Sequence, residues 1–152
     1  MIQIAILGLG TVGTGVAKVV SENGAQIARK LGEPLELKRV LVRHFKDGPY
    51  RHLMTDNFAE IENDEEIRVV VETIGGVGAA YDYTKRALAA GKHVVTANKQ
   101  LVAEHGFELL QLAKSKQVNY LFEASVGGGI PVLRPLFQCL AGNQVQEIVG
   151  IL

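Results

Sequence analysis

A glycine-rich segment near the N-terminus has the residue spacing of a dinucleotide-binding turn. GLGTVG at 8–13 matches G-x-G-x-x-G and lies between an apolar run at 2–7 and a long amphipathic stretch. Gly8 would permit a tight turn, Gly10 would let a pyrophosphate approach the backbone, and Gly13 would let the next helix pack close to the strand. The helix dipole would favour the phosphate charge. The segment therefore predicts a dinucleotide site, with a ligand-free glycine turn as the alternative.

The residues after the second apolar run would set the specificity for the ribose. NAD-binding proteins usually carry an acidic residue about 20 residues after the glycine turn, a count that reaches Glu33, before the second run at 35–42 begins. That run is followed instead by Arg43 and Lys46. Cations at this place could pair with a 2′-phosphate, which favours NADP(H). The alternative is that both are solvated loop charges.

Three further loops follow apolar runs, at 72–76, 96–99 and 123–131. Ligands of parallel sheets bind at such strand ends. Lys99 opens a helix, where the dipole disfavours a cation, so a nearby anion or a catalytic role competes with a plain exposed lysine. In the last loop, carbonyl oxygens of a triple glycine together with a carboxylate could hold a hard cation, although a plain turn is the simpler interpretation.

The alternation of apolar runs and helix-length segments indicates the fold. The predicted strands are at 2–7, 35–42, 68–73, 93–96 and 119–122, and the predicted helices are at 11–30, 56–65, 79–90, 99–116 and 132–141. Nearly continuous apolar runs are typical of strands buried on both faces of a parallel sheet. We therefore expect a Rossmann-type, doubly wound α/β fold with helices on both faces. The apolar face of the first helix is predicted to consist of Val12, Val16, Val19, Val20, Ile27 and Leu31.

Composition limits the class of protein. A length of 152 residues favours one domain, and 16 basic residues balance 16 acidic ones. Bulk charge therefore provides no attraction for nucleic acid or anionic lipid, and no apolar run is long enough for a membrane span. The N-terminus lacks the features of a signal peptide. The only cysteine, Cys139, cannot form an internal disulfide, which fits a reducing cytoplasm.

Taken together, four segments resemble the NAD-binding domain of homoserine dehydrogenases: GLGTVGTGV at 8–16, VVETIGG at 70–76, GKHVVTANK at 91–99 and EASVGGGIPVLRPL at 123–136. The resemblance covers essentially the whole chain. It implies an NAD(P)-dependent oxidoreductase that interconverts L-homoserine and L-aspartate 4-semialdehyde by hydride transfer, in threonine and methionine biosynthesis. An aspartate dehydrogenase-like enzyme and a stand-alone dinucleotide-sensing module without catalysis are the alternatives.

The resemblance also implies roles for individual residues. Lys99 is the candidate catalytic residue, at the junction of nicotinamide and substrate. The implied cofactor-binding residues are Gly8, Gly10, Thr11, Val12, Gly13, Arg43, Lys46, Thr73, Ile74, Gly75, Thr96, Lys99 and Ser125. A possible sodium ion would be held, largely through backbone oxygens, by Glu123, Val126, Gly128 and Ile130.

The resemblance further implies a domain division. Residues 1–144 would form the NAD(P)-binding domain, and 145–152 would begin a strand leading into a substrate and dimerisation domain. In the family the general-acid lysine and the main substrate carboxylates belong to that next domain. We therefore expect these residues alone to bind cofactor without turnover, and the full-length enzyme to be a cytoplasmic homo-oligomer acting on a small-molecule substrate.

Overall fold

A single parallel sheet organises the chain, whose computed structural model describes residues 1–147 and residue 149. Its strands are β1 (Ile2–Leu7), β2 (Leu35–Leu41), β3 (Met54–Thr55), β4 (Ile67–Glu72), β5 (His93–Thr96) and β6 (Tyr120–Leu121). They lie in the order β3-β2-β1-β4-β5-β6, and every neighbouring pair is parallel. The strand order reverses between β1 and β4, which makes this the predicted Rossmann-type fold. The short strand β3 was not predicted.

The helices differ from the prediction at two places. They are α1 (Thr11–Glu22), α2 (Gly24–Leu31), α3 (Ala59–Glu62), α4 (Gly78–Ala89), α5 (Lys99–Ser115) and α6 (Leu133–Cys139). The predicted helix at 11–30 is interrupted at Asn23, whose φ of −105° and ψ of 13° depart from helical values before Gly24 starts α2. The predicted helix at 56–65 shrinks to α3, because the Asn57 side chain bonds the Ala59 amide in a local turn.

The first helix buries only part of the predicted valine stripe: Val20 is buried and Val16 half-buried. Its buried residues are Gly13, Ala17 and Val20, whereas Val12 and Val19 are 53% and 51% exposed. A Cβ atom at position 13 would overlap the Gly8 carbonyl oxygen and come within 2.8 Å of the Thr73 hydroxyl oxygen. The helix therefore approaches the sheet too closely for a valine at that point, and small residues form the contact instead.

Most of the apolar core lies on the face of the sheet covered by α4 and α5. Val70 and Val94 from β4 and β5 pack there with Leu88, Leu101 and Leu109, and all five are fully buried. Burial on this scale fixes the strand ends that carry the site. No helix among the described residues is long and apolar enough to cross a membrane.

The C-terminal strand remains a prediction. Residues 145–147 and 149 have no regular secondary structure, and positions 148 and 150–152 lie outside the described residues. The proposed division at residue 144 is accordingly left as an expectation.

The close approach of α1 yields a test of the packing. Gly13→Ala should lower the free energy of unfolding by about 1–3 kcal/mol, because its methyl group overlaps backbone. Gly15→Ala is the matched control: it lies in the same helix with nothing within 4 Å of the added Cβ, so helix propensity should raise stability by up to about 1 kcal/mol. Urea denaturation measures the free energy of unfolding of both variants. Equal values for Gly13→Ala and Gly15→Ala would contradict the close contact at Gly13.

Candidate functional site

A cleft of about 660 Å³ opens at the carboxyl ends of β1 and β2, beside the point where the strand order reverses. Of the predicted cofactor-binding residues, those that line it are Gly8, Gly10, Arg43, Lys46, Thr73, Ile74 and Gly75. Such a crevice is where doubly wound folds bind their ligands. The topology thus brings three separate loops of the prediction to one cleft.

The glycine turn is held tightly on its inner side and is open on its outer side. Gly8 has a φ of +92°, which favours glycine, and its amide donates a hydrogen bond to the Leu41 carbonyl oxygen at 2.9 Å. Gly10 is the N-cap of α1, with no side-chain cap and nothing within 4 Å of an added Cβ. Thr11 and Val12 follow as exposed residues of the first helical turn. The amides of that turn have no intrahelical partner, so they can donate to an anion.

Thr73 supports the glycine turn with its side chain. Its hydroxyl donates to the carbonyl oxygens of Leu7 and Gly8, both at 3.0 Å. The contact connects the end of β4 to the turn after β1. Thr73 also lines the cleft, together with Ile74 and Gly75.

A buried polar network connects the loops after β4 and β5. Glu72, with 0% of its surface exposed, accepts hydrogen bonds from the Ile74 amide at 2.8 Å and the Thr96 hydroxyl at 2.5 Å. The Asn98 amide donates to the Thr96 hydroxyl oxygen at 3.0 Å, and the Asn98 side chain donates to the Gly76 carbonyl oxygen at 2.6 Å. The sequence analysis missed Glu72 and Asn98 as site residues. The available signal was an acidic residue that ends an apolar strand, IRVVVE.

Lys99, Thr96 and Ser125 form a second group at the ends of β5 and β6, and none of them lines the cleft. Lys99 is exposed as the first residue of α5, and Asn98 caps that helix by accepting the Leu101 amide at 3.1 Å. Ser125 donates to the Thr96 carbonyl oxygen at 3.1 Å. The predicted residues thus form one group around the cleft, after β1, β2 and β4, and a second group after β5 and β6.

The outer wall of the cleft carries charge of both signs. Arg43 and Lys46 are exposed in the loop after β2, and Asp56, directly after β3, lines the same cleft. Tyr83 of α4 also lines it, with its ring stacked on Phe58 at a centroid distance of 4.6 Å. Asp56 and Tyr83 were missed by the sequence analysis, Asp56 because the two-residue strand before it has no recognisable apolar pattern.

The loop at 123–130 uses its carboxylate to start a helix. Both Glu123 carboxylate oxygens accept backbone amides, from Val132 at 2.6 Å, Leu133 at 2.9 Å and Arg134 at 2.7 Å. These hydrogen bonds lower the pKa of Glu123, the Val132 amide most of all, against a smaller opposing effect of burial. The carboxylate is therefore occupied at the N-terminus of α6.

Because the Glu123 carboxylate is occupied by amides, backbone carbonyl oxygens are the ligands that this loop could offer a cation. Gly127 and Gly128 both have positive φ angles, +73° and +60°, which bend the backbone sharply between Val126 and Ile130. Hard cations prefer oxygen ligands, carbonyls included. No group of three or more His, Cys, Asp or Glu side chains within the described part of the chain could hold a metal ion.

Comparison with known proteins identifies the relatives of this chain. The family model described as "Homoserine dehydrogenase, NAD binding domain" matches residues 8–123. The homoserine dehydrogenase of Corynebacterium glutamicum is 45% identical over 154 residues, covering 99% of this chain and 34% of its own length. That of Bacillus subtilis is 40% identical over 155 residues, covering 99% and 36%.

A solved structure gives the same result. The crystal structure of a homoserine dehydrogenase from Thiobacillus denitrificans matches with a TM-score of 0.86 and 41% identity, over 93% of this chain and 34% of that one. The chain spans about a third of the length of the curated relatives it matches.

The cap on α6 predicts a local effect of neutralising Glu123. In Glu123→Gln one side-chain atom becomes an N–H donor that faces backbone donors, so amide exchange of Val132, Leu133 and Arg134 should accelerate. Because the folded state lowers the pKa of Glu123, protection in the wild type should be present above the unfolded pKa and lost as pH falls through the folded one. Amide exchange by NMR measures this, with Glu22→Gln in α1 as control. Identical exchange in wild type and Glu123→Gln at neutral pH would refute the cap.

Proposed function

Because the chain belongs to the homoserine dehydrogenase family, whose NAD-binding domain it matches, we propose that it is the cofactor-binding part of an enzyme that interconverts L-homoserine and L-aspartate 4-semialdehyde. The observation that carries the proposal is the cleft at the strand-order reversal, with the open glycine turn at its floor. The family match favours this function over an aspartate dehydrogenase-like enzyme or a sensing module. When bound, the nicotinamide would supply or accept the hydride.

The pyrophosphate would lie against the start of α1. The open space at Gly10 leaves the amides of Thr11 and Val12 accessible. Their N–H groups and the positive end of the helix dipole favour an anion there. Gly8 and Gly13 would act indirectly, by keeping the turn and the helix in place.

We further propose that the chain accepts NADP(H). The support is the position of Arg43 and Lys46 on the cleft wall, after the strand that carries the ribose in this fold. A guanidinium can donate two hydrogen bonds to a phosphate. Asp56 on the same cleft would weaken this preference by repelling a 2′-phosphate, so NAD(H) would also bind.

The second group of residues would lie towards the nicotinamide. The network from Glu72 through Thr96 and Asn98 holds the N-cap of α5, and with it the neighbouring Lys99, against the loop that contains Gly76. Lys99, an exposed cation, could orient the substrate aldehyde or contribute to its proton path. The groups that grip the amino acid and deliver the proton would come from outside this chain, which would leave these 152 residues inactive alone.

A sodium ion is proposed for the loop at 123–130. The ligands would be backbone oxygens of Glu123, Val126, Gly128 and Ile130. Support comes from the sharp bend at two left-handed glycines and from the preference of hard cations for carbonyl oxygens. The Glu123 carboxylate would contribute only indirectly, because backbone amides already occupy it.

Blocking the phosphate approach tests the cofactor proposal directly. Gly10→Val should fold, because nothing lies within 4 Å of the added Cβ, but the side chain would fill the space the pyrophosphate needs. Binding of NADPH and NADH, measured by fluorescence titration, should weaken by a similar factor. Gly15→Val, in the same helix and also in open space, is the control. Unchanged affinity in a folded Gly10→Val protein would refute the assignment.

Removing Arg43 tests the cofactor preference. Arg43→Ala should weaken NADPH binding by about 1.5–3 kcal/mol, the range of a hydrogen bond to a charged group, and should leave NADH binding nearly unchanged. Isothermal titration with both cofactors gives the comparison. The control is Arg68→Ala, the same charge change at the amino end of β4, outside the cleft. Equal losses for NADPH and NADH would show that Arg43 acts otherwise.

A further inference from the structure

Glu72 is a buried carboxylate that has hydrogen bonds but no cation. Its exposed fraction is 0%, and it accepts the Ile74 amide and the Thr96 hydroxyl. Among the described residues, no ion pair includes it, whereas acidic side chains are rarely buried without a charged partner. Two hydrogen bonds satisfy the oxygens but do not neutralise the charge. Its position therefore calls for a positive group from elsewhere.

The position of Glu72 points to the oxidised nicotinamide ring of the cofactor as that positive group. Glu72 ends β4 and pairs in register with Thr96, which ends β5. These strands begin the second half of the sheet, beyond the reversal, while Arg43 and Lys46 belong to the first half. A dinucleotide in this fold spans both halves. With its ribose phosphate at the first half, its nicotinamide would lie at the strand ends above Glu72.

The surroundings of Glu72 let its charge act over some distance. It lies on the face of the sheet that packs against α4 and α5, beside the fully buried Val70 and Val94. Burial, and to a smaller extent the negative charge of Glu72, raise the pKa of the Tyr120 phenol on the neighbouring strand β6. A charge in such apolar surroundings is screened much less than one at the surface.

We propose that Glu72 tunes the oxidation state of the bound cofactor. The oxidised nicotinamide ring carries a positive charge and the reduced ring carries none, so a buried carboxylate nearby stabilises the oxidised form selectively. Glu72 thus shifts binding towards NADP⁺ relative to NADPH and favours reduction of the substrate by the bound NADPH. This inference rests on the proposed cofactor function.

The test compares both oxidation states in the whole chain. Dissociation constants of NADP⁺ and NADPH are measured for wild type, Glu72→Gln and Thr96→Val. Glu72→Gln should weaken NADP⁺ relative to NADPH by roughly tenfold. Thr96→Val removes one hydrogen bond of this network but keeps the carboxylate, so it should change both constants by the same factor.

Two further measurements separate charge from structure. Binding of 2′,5′-ADP, which lacks the nicotinamide, should be the same in wild type and Glu72→Gln. Glu72→Met, of similar length and uncharged, provides a second neutral variant if Glu72→Gln does not fold. The ratio of its dissociation constants for NADP⁺ and NADPH should change in the same direction as in Glu72→Gln.

The outcomes distinguish the two proposals. Wild type that binds neither NADP⁺ nor NADPH would refute the proposed function. Wild type that binds both, with the same ratio in the folded neutral variants, would refute the role of Glu72 alone. A ratio that moves equally in Thr96→Val would assign the effect to structure and would also refute it.

Discussion

The contact between the start of α1 and the turn after β1 determines where the rest of the site lies. With no side chain at Gly13, the helix comes close enough for the Gly8 carbonyl oxygen and the Thr73 hydroxyl to occupy the space of a Cβ. The Thr73 hydroxyl, bonded to Leu7 and Gly8, then joins β4 to the same point. One close packing contact thus fixes the positions of three backbone segments. The direction of the free amides at the start of α1 depends on it, because it follows that of the helix.

A second constraint operates at the ends of β4 and β5, where polar groups replace apolar packing. Glu72, Thr96 and Asn98 satisfy one another, and Asn98 also caps α5 and bonds the Gly76 carbonyl oxygen. A fully satisfied buried network permits few alternative arrangements, since any displaced member would leave a polar atom unpaired. The loops after β4 and β5 are therefore held by directional hydrogen bonds.

The sequence predicted the strands that form apolar runs. It failed for elements whose form depends on tertiary packing or on a local break in a helix. Apolar runs predicted five of the six strands, β1, β2, β4, β5 and β6, to within one residue at each end. The short strand β3 has no apolar pattern of its own and exists through pairing with Val40 and Leu41, so Asp56 could not be found. The valine stripe of α1 was wrong at Val12 and Val19, because helix periodicity does not reveal how closely a helix approaches its sheet. The apolar periodicity predicted one helix over 11–30, but the non-helical backbone of Asn23 divides it into α1 and α2.

The two halves of the site place their charges in opposite environments. Arg43 and Lys46 are exposed, so their attraction for a phosphate is screened by solvent and salt and depends on close hydrogen bonds. Glu72 is fully buried, so its electrostatic field is screened less and reaches further. Exposed cations can therefore discriminate cofactors by a contact that one of them lacks, while a buried anion can discriminate oxidation states of the same cofactor. The first property can change through a loop mutation at little structural cost, whereas the second is tied to the network that holds β4 to β5.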